Sequence, residues 1–289
     1  MPWSVDQRLS FIETRLFWEG QINRRDLENF FNISTPQASS DFKLYLAKCP
    51  QNMRYDASEK TYKITGEFQP KYISTDPEAY FYQLKLANDK HSGVTIFQGF
   101  IPDFKTMPSP QRNIQPDVLK AVIRAIREKH ALEIQYQSMT ERKPRWRWIT
   151  PHAFGFDGFR WHIRCFCHQH KDFRDFVFGR ILSLGDTRPH SIDIQADTFW
   201  HEKITFQTIP HPDLSETQKA VIALEYGMKN NRLDFDVPKA LAFYVLNRMK
   251  YEFEGNPHLQ KAPHLHLLNR AEIEKIVRTL EEHFETAGD

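Results

Sequence analysis

The sequence predicts an α+β protein with several domains: an N-terminal winged helix-turn-helix, a small central antiparallel β-barrel and a C-terminal α+β domain. Three helical segments and a hairpin fill roughly the first sixty residues. Short strand-like runs then follow a single helix at close spacing, which is typical of a small barrel or a strongly bent sheet. After residue 210, helices alternate with strands. We therefore predict domains at residues 1–98, 117–204 and 205–289, with a connector at 99–116.

Composition places the chain among ordered, soluble proteins. It has 289 residues, of which 40% are hydrophobic and 13% aromatic, and this excludes intrinsic disorder. Three cysteines are too few for a disulfide framework and indicate reduced thiols in the cytoplasm. The longest apolar run, residues 240–246, is far shorter than the roughly 20 residues that span a bilayer. We therefore expect a cytoplasmic protein without a membrane partner.

The N-terminal elements follow from apolar spacing and capping residues. Apolar side chains recur at helical spacing from Val5, and Gly20 is the predicted stop. Thr35 is the predicted N-cap of the third helix, with Pro36 at its first position. The predicted elements are helices at 5–18, at 24–31 and after Thr35, strands at 53–55 and 61–64, and a helix at 77–88.

The rest of the chain divides at a proline-bearing connector, residues 102–116. An amphipathic helix at 117–129 precedes the predicted strands of the barrel, at 132–137, 146–151, 160–166 and 173–178. In the C-terminal domain we predict helices at 215–228, 238–249 and 270–284 and strands at 232–237 and 264–268.

The third helix carries the predicted DNA-reading face. Away from its apolar stripe it presents small or hydrogen-bonding side chains, which suit base edges in a major groove. Basic residues of the hairpin are placed to contact the flanking phosphates. The predicted DNA-binding residues are Gln37, Ser39, Ser40, Lys43, Arg54, Lys60 and Lys63. The alternative is a protein-protein adaptor, because similar modules also serve that role.

A motif in the middle of the chain supports a family resemblance. The run Trp161-His162-Ile163 is followed by Phe173-Arg174 and by Arg180-Ile181. This pattern resembles the WYL domain, with His162 and Ile163 at the positions of Tyr and Leu. Together with the phrases at 210–215 and 223–228, the chain resembles WYL transcriptional regulators found beside anti-phage systems of the BREX and CBASS type.

The resemblance implies a homodimeric regulator, usually a repressor, that binds double-stranded DNA at an inverted repeat. It implies an Sm-like barrel that senses a nucleotide or oligonucleotide effector, and a C-terminal extension of the WCX type. By match to the family pattern, the implied ligand residues are Tyr136, Ser138, His152, Trp161, Arg174 and Arg180, to which Arg164 is added for its charge. The ordinary alternative is that these basic residues are solvated and that Trp161 is part of the core.

Charge is distributed unevenly along the chain. Lys and Arg against Asp and Glu count 9 to 8 in residues 1–66, 5 to 5 in 67–116, 14 to 8 in 117–190 and 11 to 16 in 191–289. The whole-chain charge of +2 is therefore a cancellation. The largest positive surplus lies in the predicted sensor, which indicates an anionic ligand.

Two other kinds of site receive little support from the sequence. Cys165, Cys167, His168 and His170 have no second ligand pair at zinc-finger spacing, and strand alternation would separate the thiols from the imidazoles, so we expect no metal or cofactor. A nuclease using Asp117 and Glu133 is the enzymatic alternative, but the pair lacks a defined third ligand. We expect no catalytic activity.

The second alternative to a repressor is a transcriptional activator that responds to a ligand.

Overall fold

The computed structural model describes residues 4–88, 99–100, 102–106, 112–249 and 264–285. Contacts divide the chain into two units, Met1–Pro108 and Ser109–Asp289. The predicted domain limit at residue 98 and part of the predicted connector, residues 107–111, lie outside the described residues. The predicted middle and C-terminal domains share the second unit, so the limit between them stays a prediction.

The first unit has the predicted three helices and wing. Ser4 begins the first helix with a reciprocal capping box, and Gly20 ends it at φ 77°. A three-stranded sheet of order β1-β3-β2 completes the module. Its elements are α1 (Val5–Glu19), β1 (Gln21–Ile22), α2 (Arg24–Phe31), α3 (Thr35–Lys48), β2 (Met53–Asp56), β3 (Thr61–Ile64) and α4 (Pro77–Asn88).

Two details of this unit differ from the prediction. The N-cap of α3 is Ser34, whose hydroxyl accepts from the backbone N–H of Gln37, so Thr35 is already the first helical residue. Ser and Thr are both favoured N-caps, so the sequence alone does not separate Ser34 from Thr35. The strand β1 was not predicted, because two residues are too short to show a pattern; it pairs with β3.

The second unit contains a five-stranded antiparallel sheet of order β7-β6-β5-β4-β8. The amphipathic helix α5 packs Val118 and Val122 into the core of this sheet. Lys129, in the left-handed region at φ 55°, ends α5. The elements are α5 (Pro116–Glu128), β4 (His130–Tyr136), β5 (Arg145–Phe156), β6 (Trp161–Cys167), β7 (Asp172–Val177) and β8 (Ile181–Pro189).

The strands of this sheet are more extensive than predicted. β5 runs to Phe156, past a register shift between Pro151 and Ala153, because the shift allows one strand to bend and continue. β8 was missed because Ile181 is its only buried residue, so it has no alternating pattern. Within the described residues no ladder joins the edge strands β7 and β8, so a closed Sm-like barrel stays a prediction.

The C-terminal part has its own apolar core and a three-stranded sheet of order β10-β9-β11. The central strand β9 was not predicted, although its burial alternates regularly. Pro238 ends β10 rather than starting a helix: a 3₁₀ turn, Lys239–Leu241, precedes α8. The elements are α6 (Thr198–His201), β9 (Lys203–Pro210), α7 (Glu216–Glu225), β10 (Leu233–Pro238), α8 (Ala242–Met249), β11 (Leu265–Leu267) and α9 (Arg270–Glu285).

Among the described residues, no helix has the length and apolar character needed to cross a membrane.

Candidate nucleic-acid interface and ligand site

Helix α3 turns one face to the core and the other to solvent. Phe42 and Tyr45 are buried, as predicted, whereas Gln37, Ser40 and Lys43 are exposed. These three residues are spaced three apart, so they lie along one side of the helix. The three side chains predicted to read DNA are therefore exposed on one side of α3, and their role stays a prediction.

The side chain of Gln37 is oriented by a buried ion pair. Its Nε2 donates to Asp41 Oδ1 at 3.0 Å. Asp41 also accepts from Arg8, at 2.7 Å from Nε and 3.2 Å from Nη2. Because Arg8 lies on α1, this contact fixes α3 against the first helix and orients the Gln37 amide.

Ser39 brings an arginine that was not predicted to the same surface. The hydroxyl of Ser39 accepts from Arg24 Nη1 at 3.3 Å. Arg24 is exposed in the first turn of α2. Its signal in the sequence is the pair Arg24-Arg25 at a helix start, where the helix dipole favours acidic residues instead. Helix stability therefore does not explain the basic pair at this position.

The predicted basic residues of the wing are not equivalent. Arg54 and Lys60 are exposed. Lys63 instead forms ion pairs with Asp56 at 3.0 Å and with Glu59 at 2.8 Å. Its charge is compensated within the wing, so Arg54 and Lys60 offer more to a phosphate backbone than Lys63 does.

In the second unit, two of the predicted ligand residues meet in a buried ionic network. Arg164 is only 1% exposed and donates to both carboxylate oxygens of Asp197, at 2.8 Å each. It also donates to Asp175 at 3.3 Å. His152 Nε2 lies 3.0 Å from Asp197 Oδ2. Two carboxylates more than compensate the single charge of Arg164, so this arginine joins segments of the fold and presents no free charge to a ligand.

The carboxylates of this region are held ionised. Burial alone would raise the pKa of Asp197, but the hydrogen bonds from Arg164 and His152 outweigh it and lower the pKa to about 2. Asp157 behaves in the same way: hydrogen bonds from His162 and from the backbone at Phe159 and Arg160 overcome burial and lower its pKa to about 2.

A cleft of about 220 Å³ lies beside this network. Tyr136 and Arg180, both predicted ligand residues, line it. So does His162, which occupies the Tyr position of the family motif and lies 2.9 Å from Asp157 Oδ2. The full lining is Tyr136, Arg160, His162, Asp175, Val177, Arg180, Phe243, Tyr244 and Leu280. Phe243, Tyr244 and Leu280 come from the C-terminal helices, so no local pattern could have assigned them to the site.

The other predicted ligand residues do not line the cleft. Ser138 lies beyond the end of β4 and contacts Thr140 Oγ1 at 2.9 Å, so it does not share a strand face with Tyr136 as predicted. Trp161 is 50% exposed and packs against Phe156, with ring centroids 4.8 Å apart. Arg174 is buried in the sheet.

The cysteine and histidine cluster shows no metal geometry in the described part of the chain. Cys165 and Cys167 are both buried in the core of the sheet, and burial raises the pKa of the Cys165 thiol. His168 Nε2 lies 2.8 Å from the hydroxyl of Thr150. Across the described residues, no group of three or more His, Cys, Asp or Glu side chains is arranged to hold a metal ion.

Three family models match the chain along its length. Residues 4–86 match the BrxR transcriptional regulator winged helix-turn-helix domain, and residues 117–185 match the WYL domain. Residues 203–273 match the BrxR transcriptional regulator C-terminal dimerization domain.

Named relatives match almost the whole chain. The DNA-binding transcriptional repressor CapW of Stenotrophomonas maltophilia is 35% identical over 278 residues, covering 96% of this chain and 93% of the relative. CapW of Escherichia coli (strain KTE188) is 34% identical over 279 residues, with the same coverage of both chains. CapW of Pseudomonas aeruginosa is 32% identical over 280 residues, again covering 96% and 93%. The chain belongs to the CapW family.

Membership of the CapW family confirms the resemblance drawn from the Trp161-His162-Ile163 motif. The winged helix-turn-helix match spans α1 to α4, and the WYL match spans α5 and most of the five-stranded sheet. The dimerization match begins at the first residue of β9.

Proposed function

We propose that this CapW-family chain is a DNA-binding transcriptional repressor that acts as a homodimer on an inverted-repeat operator of an anti-phage operon. The observation that carries the proposal is the exposed face of α3, where Gln37, Ser40 and Lys43 stand on a helix of a winged helix-turn-helix. Gln pairs well with adenine, Ser pairs with donors or acceptors, and Lys pairs with guanine or phosphate. The relatives are named transcriptional repressors, which supports repression over activation.

The dimeric form is supported by the match of residues 203–273 to a dimerization domain. A two-fold dimer presents two copies of α3 in opposite senses, so it fits two half-sites related by inversion. Half-sites one helical turn apart would lie about 34 Å from centre to centre.

Charge supports readout by base contacts over purely electrostatic binding. Residues 1–66 carry 9 basic against 8 acidic side chains, a net +1, and part of that charge is compensated inside the wing. Non-specific affinity scales with the number of phosphates neutralised. Affinity therefore depends on the reading helix and on the pairing of two copies.

Release from DNA is assigned to an anionic, nucleotide-like ligand in the cleft of the second unit. Arg180 supplies a cation there, and Tyr136, Phe243 and Tyr244 supply aromatic faces. Because the cleft is lined by both the WYL-matched sheet and the C-terminal helices, an occupant would contact both parts. A ligand that prefers one arrangement of these parts would shift the dimer toward it.

A shift assay tests the DNA step. Full-length protein is titrated onto the promoter of its own operon, with Gln37→Ala/Ser40→Ala as the variant and Gln83→Ala on α4 as the matched control. The double variant should lose most of its preference for the promoter over unrelated DNA, and the control should retain it. Unchanged affinity and preference in the double variant would remove α3 from the proposal.

Two alternatives remain distinguishable. An activator would use the same reading helix, so a promoter-reporter fusion decides: deletion of the gene raises expression for a repressor and lowers it for an activator.

For the nuclease alternative, Asp117 is exposed on α5 and paired with Lys120 at 3.2 Å. Incubation of DNA with the protein and Mg²⁺ or Mn²⁺ tests it directly, and cleavage products would favour the enzyme.

A further inference from the structure

A cavity of about 350 Å³ lies in the first unit between α1, α4 and the segment that joins β3 to α4. We call it the α1–α4 cavity. It is larger than the cleft of the second unit, and its volume falls in the range of small-molecule sites. Its lining residues are Ser10, Thr14, Trp18, Tyr72, Ile73, Ser74, Ala79, Tyr80, Gln83 and Leu86.

The two helices contribute regular faces to this cavity. On α1, Ser10, Thr14 and Trp18 are spaced four residues apart, so they lie along one side of the helix, where all three are half-buried. On α4, Ala79 and Gln83 have the same spacing. The walls of the cavity are therefore built by secondary structure on two sides, and the segment before α4 forms the third.

Contacts at the edges of the cavity hold its walls in place. The buried carboxylate of Glu13, on α1, accepts from the backbone N–H groups of Lys71 at 2.5 Å and Tyr72 at 2.6 Å. The rings of Trp18 and Tyr80 join α1 to α4, with centroids 4.8 Å apart. Protein interiors are normally close-packed, so a space that its own walls hold open is suited to a bound molecule.

The lining offers hydrogen-bonding groups without formal charge. None of the ten described lining residues is acidic or basic, in contrast to the cleft of the second unit, which contains Arg160, Asp175 and Arg180. An ionised ligand would lose its hydration here without gaining an opposite charge. The hydroxyl of Thr14 and the amide of Gln83 can each donate and accept hydrogen bonds. The cavity therefore favours an uncharged ligand with a polar group.

We propose that the α1–α4 cavity binds an uncharged, planar aromatic small molecule with a hydrogen-bonding group on its edge. Trp18, Tyr72 and Tyr80 supply three aromatic rings to the lining. Stacked and edge-to-face ring pairs contribute more than their buried area, so a planar ring gains more here than an aliphatic compound of the same size. The inference is independent of DNA binding and of the anionic ligand proposed for the second unit.

The ligand class is tested with three probes, titrated onto the full chain and followed by ligand-observed NMR. Indole is planar and neutral and carries an N–H donor, so it should bind saturably, with a Kd below about 1 mM. Indole-3-carboxylate keeps the ring but adds a negative charge, whereas cyclohexanol is neutral but has no aromatic ring. Both should bind at least about ten-fold more weakly than indole.

Two substitutions that fill the cavity locate the site. Ala79→Phe on α4 and Thr14→Leu on α1 add atoms from two different walls. Each should weaken indole binding at least about ten-fold, because the ligand would then overpack the space, and each should leave the melting temperature unchanged or raised. Glu78→Phe is the matched control. It adds the same ring at an exposed position of α4 outside the lining, and it should bind indole like the wild type.

Four outcomes would overturn the proposal. Equal indole binding by the wild type and Ala79→Phe would place the probe elsewhere, for example in the cleft of the second unit. Binding of indole-3-carboxylate as tight as that of indole would contradict the neutral lining, and equally tight binding of cyclohexanol would contradict the aromatic preference. Absence of saturable indole binding, or loss of folding in both filling variants, would show that the cavity admits no ligand.

Discussion

The winged helix-turn-helix and the five-stranded sheet use the same charged residue types in opposite ways. On α3 and the wing, Lys43, Arg54 and Lys60 are exposed, and water already stabilises their charges. In the sheet, Arg164 and Arg174 are buried and depend on protein partners. The first region can therefore lose a charge with little effect on folding, whereas a charge in the second region is coupled to the fold. This difference predicts which variants change stability and which change DNA binding.

The largest effect should come from Arg164→Met. The substitution leaves Asp197 and Asp175 buried without their cation, which costs about 3–5 kcal/mol. Urea unfolding of the full chain measures it. Arg54→Met on the wing should change the free energy of unfolding by less than about 0.5 kcal/mol. Similar effects of the two substitutions would erase the contrast between the regions.

Acid should weaken the five-stranded sheet, because the pKa of a buried carboxylate that pairs with it, Asp197, is lowered. The pKa of Asp197 is about 2 in the folded chain and about 3.9 in an unfolded one. Its contribution is therefore complete above about pH 4 and is lost as the pH falls through 2. A shift of that size corresponds to about 2–3 kcal/mol. Unfolding free energies measured between pH 6 and 2 should fall, and Asp197→Asn should flatten that fall; an unchanged slope would contradict the ion pair.

A smaller effect is expected on the wing, where Lys60 and Lys63 form a matched pair. Lys60→Ala should weaken binding to all DNA sequences alike and reduce the salt dependence by about one phosphate contact. Lys63→Ala should do less, because Asp56 and Glu59 already compensate Lys63. Shift assays at several salt concentrations measure both slopes. Equal slopes would mean that the ion pairs of the wing open on DNA.

The smallest effect should come from Tyr244→Phe. The hydroxyl of Tyr244 donates to Asp175 at 3.3 Å, a long hydrogen bond whose loss costs about 0.5–1.5 kcal/mol. Tyr55→Phe on the exposed wing is the control and should leave stability unchanged. Urea unfolding resolves the difference. A larger loss from Tyr55→Phe would show that the wing depends on its surface side chains more than its exposure indicates.

Much of the reading face was predictable because it depends on local pattern. The apolar spacing of α3 separates its core face from Gln37, Ser40 and Lys43 without reference to any distant segment. The compensation of Lys63 was missed, although its partners lie within seven residues, because sequence does not give the geometry of a turn. The contact between Arg24 and Ser39 joins two helices and was not predictable from either one.

The implied ligand residues of the five-stranded sheet do not stay together in the structure. Tyr136 and Arg180 line one cleft, whereas Arg164 lies in the buried ionic network with Asp197. Their role as ligand residues stays a prediction. The strands β8 and β9 were also missed. β8 has almost no buried face and therefore no alternating pattern, whereas the burial of β9 does alternate.

The sequence by itself determined the order of domains, most helices and the wing, because caps, turns and apolar periodicity act over a few residues. Only the tertiary structure decided which partners each arginine of the five-stranded sheet has. Arg164 meets a carboxylate 33 residues away, at Asp197, whereas Arg174 has Asp172 only at 3.9 Å. The free energy of a charge depends on its burial and on its partners, and distant segments of the chain supply both.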